Sequence, residues 1–291
     1  MSWRTVVIAN SAKLDYQMGF LVIRGRETTK IHISEIHTLM IETTAVSLTV
    51  ALLSELTKKK VKVIFCDEKR NPSSELISYY GAHDTSAKIK GQIEWDADIK
   101  TVVWTEIVTE KIRKQAEHLD FWNRPESKML FRYIDEIQRG DSTNREGHAA
   151  KVYFNALFGM DFTRSAENSI NAALNYGYGI LLSAFNREIA ANGYLTQLAL
   201  YHDNMFNPFN FGSDLMEPFR PLVDCRVKEM NPEKFDHEEK LQILRLLEKE
   251  VVIADRKEVL LNAIKIYSKS VFDALSERNP SLIKFYNNYE L

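Results

Sequence analysis

The stretch WRTVVIANSAKLDYQMGFLVIRGRETTKIHISEIHTLMIET, residues 3–43, decides the fold of the first part of the chain. It is rich in valine, isoleucine, threonine and aromatic residues, and the turn sequences AN, GF and RGRE interrupt it at short intervals. Apolar and β-branched runs between closely spaced turns are typical of small antiparallel strands. The chain is therefore expected to begin with a β-rich region.

The sequence that follows adds one helix and one buried strand to this region. AVSLTVALLSELTKKK (45–60) has helical periodicity, and VKVIFCD (61–67) has the continuous apolar character of a buried strand. NPSSELISYYGAHD (71–84) contains a proline, a serine pair and a glycine, which favour a linker. We predict a β-rich domain over residues 1–80, a short linker around 71–83, and a boundary near Tyr80.

The rest of the chain, residues 81–291, has a helical pattern. Residues 98–122 and 127–140 place apolar residues at helical spacing, and the second run stops at Gly140. In ENSINAALNYGYGILLSAFNREIAANG (167–193), Gly177 and Gly179 lie inside a helical run, at a cost of ~1 kcal/mol each relative to alanine. Such glycines imply close approach of another backbone or a ligand. The predicted fold class is α+β, with a small β-rich N-terminal domain followed by a larger, all-helical catalytic domain.

Composition is compatible with two domains in a reducing compartment. A chain of 291 residues with 45% hydrophobic residues can bury one substantial core and a smaller one. Cys66 and Cys225 suggest neither a disulfide framework nor a thiolate zinc site. The chain contains no apolar run of membrane-spanning length and does not begin like a signal peptide. We expect a cytoplasmic protein without a membrane partner.

Three side chains in the second half suit a divalent-metal site. Glu146 opens REGHAAKVYFNALFG (145–159) on the apolar face of the predicted helix, where a buried carboxylate needs a partner. His202 ends an apolar run before a loop rich in asparagine and proline, and Glu217 follows Asp214 by three residues at the start of another helix. Two carboxylates and one imidazole suit Mg²⁺ or Mn²⁺ better than structural zinc.

Each of these residues also has a structural interpretation. Thr143-x-x-Glu146 and Asp214-x-x-Glu217 both fit a capping box, in which the carboxylate satisfies a backbone N–H at the helix start. A single histidine after an apolar run is more often a core or surface residue than a ligand. Spacing alone does not join the three residues into one site.

Four ordered motifs join them by resemblance. REGHAAKVYF, NAALNYGYGILLSAFNREIAANGY, LALYHDNMFNPF and SDLMEPFRPLVD resemble the consecutive signature blocks of the CRISPR-associated integrases, the family numbered one among the CRISPR-associated proteins. The resemblance covers essentially the whole chain. The short N-terminal half and the wording DLMEPFRP resemble members from type II systems, which use a single large effector.

The resemblance implies a catalytic metal site and a reaction. The family's metal ligands and catalytic residues correspond to Glu146, His202 and Glu217, with Mg²⁺ or Mn²⁺ as cofactor. Many relatives carry aspartate where Glu217 stands, so Asp214 is retained as a second-rank site residue, together with Asn171. The implied activity is endonuclease and integrase chemistry on double-stranded DNA, by which a 3′-OH end inserts short foreign fragments into a CRISPR repeat array. The implied partners are a second copy of the chain, the small CRISPR-associated protein numbered two, and other acquisition proteins of the locus. The family comparison places dimer contacts in the β-rich half.

The net charge of −2 does not by itself indicate a DNA-binding protein, but basic residues recur near the candidate site. We predict DNA contacts at Arg220, Arg164, Arg145 and Tyr178. The alternatives are solvated or ion-paired charges for the arginines and a core position for the tyrosine. Phosphate-loop, dinucleotide-binding and serine-hydrolase motifs are absent, so nucleotide hydrolysis and dinucleotide chemistry have no sequence support.

Two other functions remain open at this stage. One is a non-catalytic DNA-binding scaffold of the same fold, in which the carboxylates only cap helices. The other is a generic metal-dependent nuclease unconnected with repeats. Metal titration distinguishes the scaffold from an enzyme, and joined rather than cut products distinguish an integrase from a nuclease.

Overall fold

The computed structural model describes residues 4–68, 70–78 and 82–288. Contacts divide the chain into two compact units. The N-terminal unit comprises the chain up to Thr85 together with Ala190–Tyr194, and the helical unit comprises Ser86–Ile189 and the chain from Leu195 onward. The predicted α+β class, with a β-rich first part and a larger, mostly helical second part, is confirmed. The division into a dimerisation domain (1–80) and a catalytic domain (81–291) stays a prediction, and Tyr80 lies outside the described residues.

The described part of the N-terminal unit contains two four-stranded sheets and one complete α-helix of nine residues. Its elements are β1 (Arg4–Ile8), β2 (Ala12–Gln17), β3 (Phe20–Arg24), β4 (Thr28–His32), β5 (Ile36–Ile41), β6 (Val46–Leu48), α1 (Val50–Lys58), β7 (Lys62–Cys66) and β8 (Pro72–Leu76). The sheets have the orders β1-β5-β7-β8 and β4-β3-β2-β6. All six residues of β5 are buried, and α1 buries Leu52 and Leu56 in the same core.

Strand direction only partly follows the sequence-based prediction. Pairing is antiparallel for β2 with β3 and for β3 with β4, as predicted. It is parallel for β1 with β5, where the prediction is wrong, and also for β5 with β7, for which no direction was predicted. Parallel neighbours need long connections. The meander β2–β4 forms part of the connection from β1 to β5, and α1 forms part of the connection from β5 to β7. The short turns that the sequence shows therefore belong to these connections and not to the sheet that contains β1, β5 and β7.

The linker predicted around residues 71–83 is not a continuous loop. Pro72–Leu76 forms β8, which pairs antiparallel with β7 at the edge of its sheet. Proline is tolerated as the first residue of an edge strand because its missing N–H removes no internal ladder bond. Residues 79–81 of the predicted linker lie outside the described part of the chain.

The remaining helices run in chain order from residue 85. They are α2 (Thr85–Ile93), α3 (Ala97–Phe121), α4 (Ser127–Glu136), α5 (Arg145–Phe158), α6 (Ser169–Ala191), α7 (Asn210–Leu215), α8 (Arg220–Met230), α9 (His237–Leu244) and α10 (Leu260–Glu277). A short 3-10 helix, Glu217–Phe219, lies between α7 and α8. Within the described ranges, none of the helices combines the length and the apolarity needed to cross a bilayer.

The second part of the chain is mostly but not entirely helical. Strands β9 (Glu250–Ile253), β10 (Arg256–Val259) and β11 (Tyr286–Asn288) form a three-stranded sheet in the order β10-β9-β11. The turn between β9 and β10 places Ala254 and Asp255 at positive φ, which usually requires asparagine and glycine. The all-helical prediction missed this hairpin because its turn carries no such signal.

Gly177 in α6 is closely packed, but by side chains rather than by the backbone or ligand that was expected. A Cβ atom there would lie 2.4 Å from Cγ1 of Val223, a residue of α8. At Gly179 an added Cβ would meet no atom within 4 Å. Packing therefore requires a glycine only at position 177, where it allows α8 to lie against α6. Helix α8 begins three residues after Glu217.

Candidate active site

Glu146 lies in the first turn of α5, and other residues cap that turn. Asp141 accepts hydrogen bonds from the backbone N–H of Arg145 (2.7 Å) and of Glu146 (3.0 Å). The side chain of Asn144, at positive φ, accepts from Gly147 N at 3.3 Å. The capping box of Thr143 with Glu146 does not form, so the Glu146 carboxylate is available for another partner.

That partner is Lys111, in the middle of α3. Its Nζ lies 2.5 Å from Oε1 of Glu146 and 2.5 Å from Oε2 of Glu217. The Lys111 side chain is 9% exposed. Burial opposes its charge, but the carboxylates of Glu217 and Glu146 outweigh burial and raise the pKa of the ammonium. A charged ammonium therefore bridges two of the three predicted ligands.

Glu217 begins the 3-10 helix between α7 and α8, and its side chain is 3% exposed. Its Oε1 lies 2.9 Å from a terminal nitrogen of Arg220. Its Oε2 lies 2.5 Å from the Lys111 ammonium, so each carboxylate oxygen has a cationic partner. Burial alone would raise the pKa of Glu217, but Arg220 and Lys111 lower it, so the carboxylate is ionised. A buried carboxylate needs such compensation, and the position between Glu146 and Glu217 therefore favours a cation.

Strand β11 packs against the two residues that follow Glu217. Tyr286 is fully buried, and its hydroxyl donates to the carbonyl oxygen of Pro218 at 3.1 Å. Its ring centroid lies 4.7 Å from that of Phe219. The two residues after Glu217 are thus held by a strand from the far end of the described chain.

Asp214 holds the loop that carries His202. The Asp214 carboxylate is fully buried and accepts from the backbone N–H of Leu200 (2.7 Å), Tyr201 (2.9 Å) and His202 (3.3 Å). It also lies 2.5 Å from Nδ1 of His202. The capping box of Asp214 with Glu217 does not form, because all of these contacts involve the His202 loop.

The contact with Asp214 orients the His202 imidazole. The hydrogen bond to Asp214 raises the pKa of His202 against the opposing effect of burial, and the charges of Glu217 and Glu146 raise it further. The ring also packs edge-on against Trp104, at 5.6 Å between centroids. No residue of the described chain hydrogen-bonds to Nε2. A histidine fixed through one nitrogen by a carboxylate, with the other nitrogen free, is the usual arrangement of a metal-ligating imidazole.

As these side chains stand, they do not form a ready metal cage. Among the described residues, no group of three or more His, Cys, Asp or Glu side chains is placed to hold an ion. Glu146 and Glu217 meet at Lys111, while His202 faces Asp214. The assignment of Glu146, His202 and Glu217 as metal ligands and catalytic residues stays a prediction.

Arg220 and Tyr178 connect the carboxylate pair to a buried acid, Asp224. The Arg220 guanidinium lies 4.8 Å from the centroid of the Tyr178 ring. The Tyr178 hydroxyl donates to Asp224, as does the hydroxyl of Tyr153. Burial raises the pKa of Asp224 to about 6, although both hydroxyls and Arg220 act in the opposite direction. Tyr178 is buried and Arg220 pairs with Glu217, as their alternative interpretations proposed; their DNA contacts stay predictions.

Histidine 118 extends this buried network. Trp122 Nε1 donates to Nε2 of His118 at 2.9 Å, and Nδ1 lies 2.5 Å from the Tyr153 hydroxyl. Burial, with Lys249 and Lys228 nearby, lowers the pKa of His118 to about 3, so the ring is neutral.

The other predicted site residues have structural partners. Asn171 donates to the carbonyl oxygens of Thr163 and Ala166, both at 2.8 Å, and accepts from Arg164. Arg145 pairs with Glu136 at 2.9 Å. Asn171 braces the loop before α6, and the DNA contacts of Arg164 and Arg145 stay predictions.

Sequence reasoning missed Lys111, although a signal for it exists. Lys111 follows Ile107 by four positions and Val103 by eight, so helical spacing places it on the buried face of α3. A lysine at such a position needs an acidic partner. The sequence contains no indication that these partners are Glu146 and Glu217, which come from other elements.

Comparison with known proteins identifies relatives for most of the chain. The family model described as CRISPR associated protein Cas1 matches residues 5–251. A CRISPR-associated endonuclease Cas1 from Neisseria meningitidis is 37% identical over 229 residues, which cover 78% of this chain and 75% of the relative. The CRISPR-associated endonuclease Cas1 1 from Pyrobaculum aerophilum is 29% identical over 241 residues, 75% of this chain and 79% of the relative.

Solved structures with a similar fold include a DNA-processing complex, a Cas1 protein and a larger multi-protein complex. A casposase bound to integration product has a TM-score of 0.78 at 18% identity, covering 96% of this chain and 92% of its own. A Cas1 protein from Thermotoga maritima has a TM-score of 0.71 at 15% identity, covering 94% and 97%. A chain of a Cas6-RT-Cas1–Cas2 complex has a TM-score of 0.73 at 16% identity, covering 96% of this chain and 36% of that one. At these identities the likeness concerns the fold.

Proposed function

Because this chain belongs to the Cas1 family of CRISPR-associated proteins, we propose that it is a metal-dependent DNA endonuclease and integrase. Its reaction is the insertion of short foreign DNA fragments into a CRISPR repeat array, for antiviral defence. The proposal rests on one observation. The carboxylates of Glu146 and Glu217 both contact the Lys111 ammonium, and the His202 imidazole, held through Nδ1, has a free Nε2.

The donor set supports Mg²⁺ or Mn²⁺ as cofactor. Glu146 and Glu217 would supply carboxylate oxygens, and His202 would supply Nε2. Oxygen donors with one imidazole suit these ions, and the position between Glu146 and Glu217 already holds a cation, the Lys111 ammonium. When bound, such an ion polarises the phosphoryl oxygen and stabilises the leaving oxygen of a phosphodiester.

The surrounding residues hold the ligands in the required ionisation state and orientation. Arg220 keeps Glu217 ionised, and Asp214 fixes the His202 ring. Asp141 anchors the first turn of α5, from which Glu146 projects. Each predicted ligand therefore has a supporting side chain that does not itself need to touch the substrate.

The nucleophile decides between cutting and joining. Water would hydrolyse the phosphodiester, whereas the 3′-OH of a bound DNA fragment would join that fragment to a new strand. The Neisseria relative is named an endonuclease, and the casposase of similar fold was solved with an integration product. We favour transesterification by a 3′-OH, with generic nuclease activity as the second candidate.

A purely structural role for the carboxylates is less favoured. In a non-catalytic scaffold, Glu146 and Glu217 would cap helices. Neither capping box forms, and both carboxylates instead turn to one buried ammonium. Concentrating two carboxylates at one buried point is costly, and such sites are more often functional than structural.

Two staggered strand joinings need two active sites, so the working form is proposed to be an oligomer. We propose a homodimer that assembles with Cas2 and with other acquisition proteins of the locus, and that binds double-stranded DNA. The similar fold of a chain in a Cas6-RT-Cas1–Cas2 complex supports the Cas2 partner. Dimerisation is assigned to the N-terminal unit, whose sheets leave edge strands β1, β8, β4 and β6.

The test uses a DNA duplex with 3′-OH ends and a target that contains a repeat. Glu146→Ala, His202→Ala and Glu217→Ala are expected to abolish joined products with Mn²⁺ or Mg²⁺ while leaving the fold intact by circular dichroism. Glu110→Ala is the matched control, because Glu110 is a buried, ion-paired glutamate of α3 outside the site. Near-normal joining by the folded variants would support the scaffold. Cut products without joined products from the unmodified protein would support the generic nuclease.

A further inference from the structure

We propose that Lys111 occupies the cation position in the metal-free protein and that a divalent ion binds by displacing its ammonium. The inference rests on the metal site proposed above and adds a competitor that belongs to the chain itself. It makes metal binding an exchange of one cation for another rather than the filling of an open cage.

The first support is geometry. Nζ of Lys111 is equidistant, at 2.5 Å, from one oxygen of Glu146 and one oxygen of Glu217. A metal ion shared by these carboxylates would need the same two oxygens. The ammonium and the ion therefore compete for one position.

The second support is charge. Glu146 and Glu217 carry two negative charges, and Arg220 and Lys111 balance them with two positive charges. Adding a divalent ion while the ammonium stays in place would set four positive charges against the two negative charges of the carboxylates. Because like charges at such distances repel strongly in a buried setting, the ion and the ammonium exclude each other.

The third support is that the ammonium can leave. Lysine carries its charge at the end of a flexible four-carbon chain. The Glu146 side of the bridge is partly open, with the carboxylate side chain 21% exposed, whereas the Glu217 side is closed. The ammonium can therefore leave toward the Glu146 side, where the bridge is less enclosed.

A matched lysine on the same helix provides the control. Lys114 is also buried, and its Nζ lies 3.2 Å from Glu110 and 3.0 Å from Glu117. These ion-pair partners are residues of α3 itself rather than of the predicted site, and the ammonium also lies 5.1 Å from the centroid of the Tyr286 ring. Lys114→Met therefore removes a buried, ion-paired ammonium without touching the proposed cation position.

The experiment measures Mn²⁺ binding directly, by the loss of the free-ion electron paramagnetic resonance signal, together with the melting temperature. Lys111→Met is expected to bind Mn²⁺ about tenfold more tightly than the unmodified protein, a size typical of coupling between competing ligands. Without metal, its melting temperature is expected to be lower than that of the unmodified protein. Added Mn²⁺ is expected to raise its melting temperature by more. Lys114→Met should melt lower at unchanged Mn²⁺ affinity. Equal or weaker Mn²⁺ binding by Lys111→Met would overturn the inference.

A second measurement needs no variant. In the unmodified full-length protein, acylation of Lys111 by a lysine-reactive reagent, followed by mass spectrometry, should rise when Mn²⁺ is added, while that of Lys114 stays constant. Unchanged or reduced labelling of Lys111 would overturn the displacement. If the unmodified protein binds no Mn²⁺, the proposed metal dependence fails as well. If binding is lost in Glu146→Ala and Glu217→Ala but unaltered in Lys111→Met, the displacement alone fails.

Discussion

His202 and Asp214 form a fixed pair: Nδ1 of the imidazole lies 2.5 Å from Oδ1 of the carboxylate, whose two oxygens also accept from three backbone N–H groups of the His202 loop. Asp214 therefore sets both the path of the loop and the orientation of the ring. This pair leads to the first prediction.

Asp214→Asn should weaken Mn²⁺ binding by about 10–100-fold, the usual effect of removing the group that orients a metal-ligating histidine. The amide can still accept from the loop backbone, so the fold should persist. Isothermal titration with Mn²⁺ measures the effect. Asp203→Asn, next to His202 but exposed, should leave the affinity unaltered. Equal affinity in the Asp214 variant would show that His202 is not a ligand.

Glu217→Asp should keep partial joining activity, whereas Glu217→Ala should lose it. The shorter side chain retains the charge that Arg220 stabilises but moves the carboxylate away from Lys111. Joined product per unit time, compared at saturating Mn²⁺, measures the difference. If Glu217→Asp is as inactive as Glu217→Ala, the site requires the longer glutamate side chain, and the prediction of partial activity is wrong.

Arg220→Gln should weaken DNA binding and reduce its salt dependence by about one counterion equivalent, if the guanidinium reaches a phosphate. Its ion pair with Glu217 offers a competing outcome, in which only stability falls. Fluorescence anisotropy of a labelled duplex across a salt series separates the two. Arg226→Gln is the control from the same helix, since Arg226 pairs with Glu229. An unchanged slope in the Arg220 variant would limit Arg220 to holding Glu217.

Asp224→Asn should stabilise the protein at pH 8 but not at pH 4. Burial raises the pKa of Asp224 to about 6 in the folded protein. The folded state thus binds this proton more tightly than the unfolded state. That contribution is fully present below the unfolded pKa of about 3.9 and is lost as pH rises through about 6. A shift of this size corresponds to roughly 3 kcal/mol, which the variant should recover at high pH.

Urea unfolding across this pH range measures the difference between the variant and the unmodified protein. His118, whose pKa is lowered to about 3, acts in the opposite direction, since its contribution is lost as pH falls below about 6.5. It is common to both proteins and cancels in the difference. Stability curves that run parallel would show that burial does not raise the pKa of Asp224 in the folded protein.

Met18→Lys should weaken the proposed homodimer by about tenfold, equivalent to ~1.4 kcal/mol. Met18 is 93% exposed in the turn between β2 and β3, at positive φ, so a large apolar side chain is presented to solvent by the N-terminal unit. Met160→Lys is the matched control, because Met160 is 81% exposed on the helical unit. Sedimentation equilibrium measures both. Dissociation by the Met160 variant instead would move the dimer interface to the helical unit.

Local patterns predicted the elements well, and the site residues less completely. The periodicity around Glu146 placed it correctly at the inward face of α5, and β7 was recognised from its apolar run. The capping boxes failed although their spacing was right, because Asp141 and Asn144 cap α5, and Asp214 binds the His202 loop. Spacing identifies a possible cap, but tertiary contacts decide which side chain fills it.

The features that sequence reasoning could not reach depend on contacts between distant segments. The Lys111 bridge joins three elements, and the parallel pairing of β1 with β5 joins strands separated by a whole meander. The β9–β10 hairpin was missed because Ala254 and Asp255 adopt a turn that they rarely favour. In each case the local sequence has no unusual feature. The structure there depends on contacts with another segment of the chain.

The support of Pro218 and Phe219 by Tyr286 has a consequence for how the protein is made. A ribosome that has just released Glu217 from its exit tunnel has not yet synthesised the tyrosine on which that segment rests. The Glu217 segment gains its last buried contact only when residue 286 has emerged. The proposed site around Glu217 is therefore expected to be fully supported only after that tyrosine is available to pack.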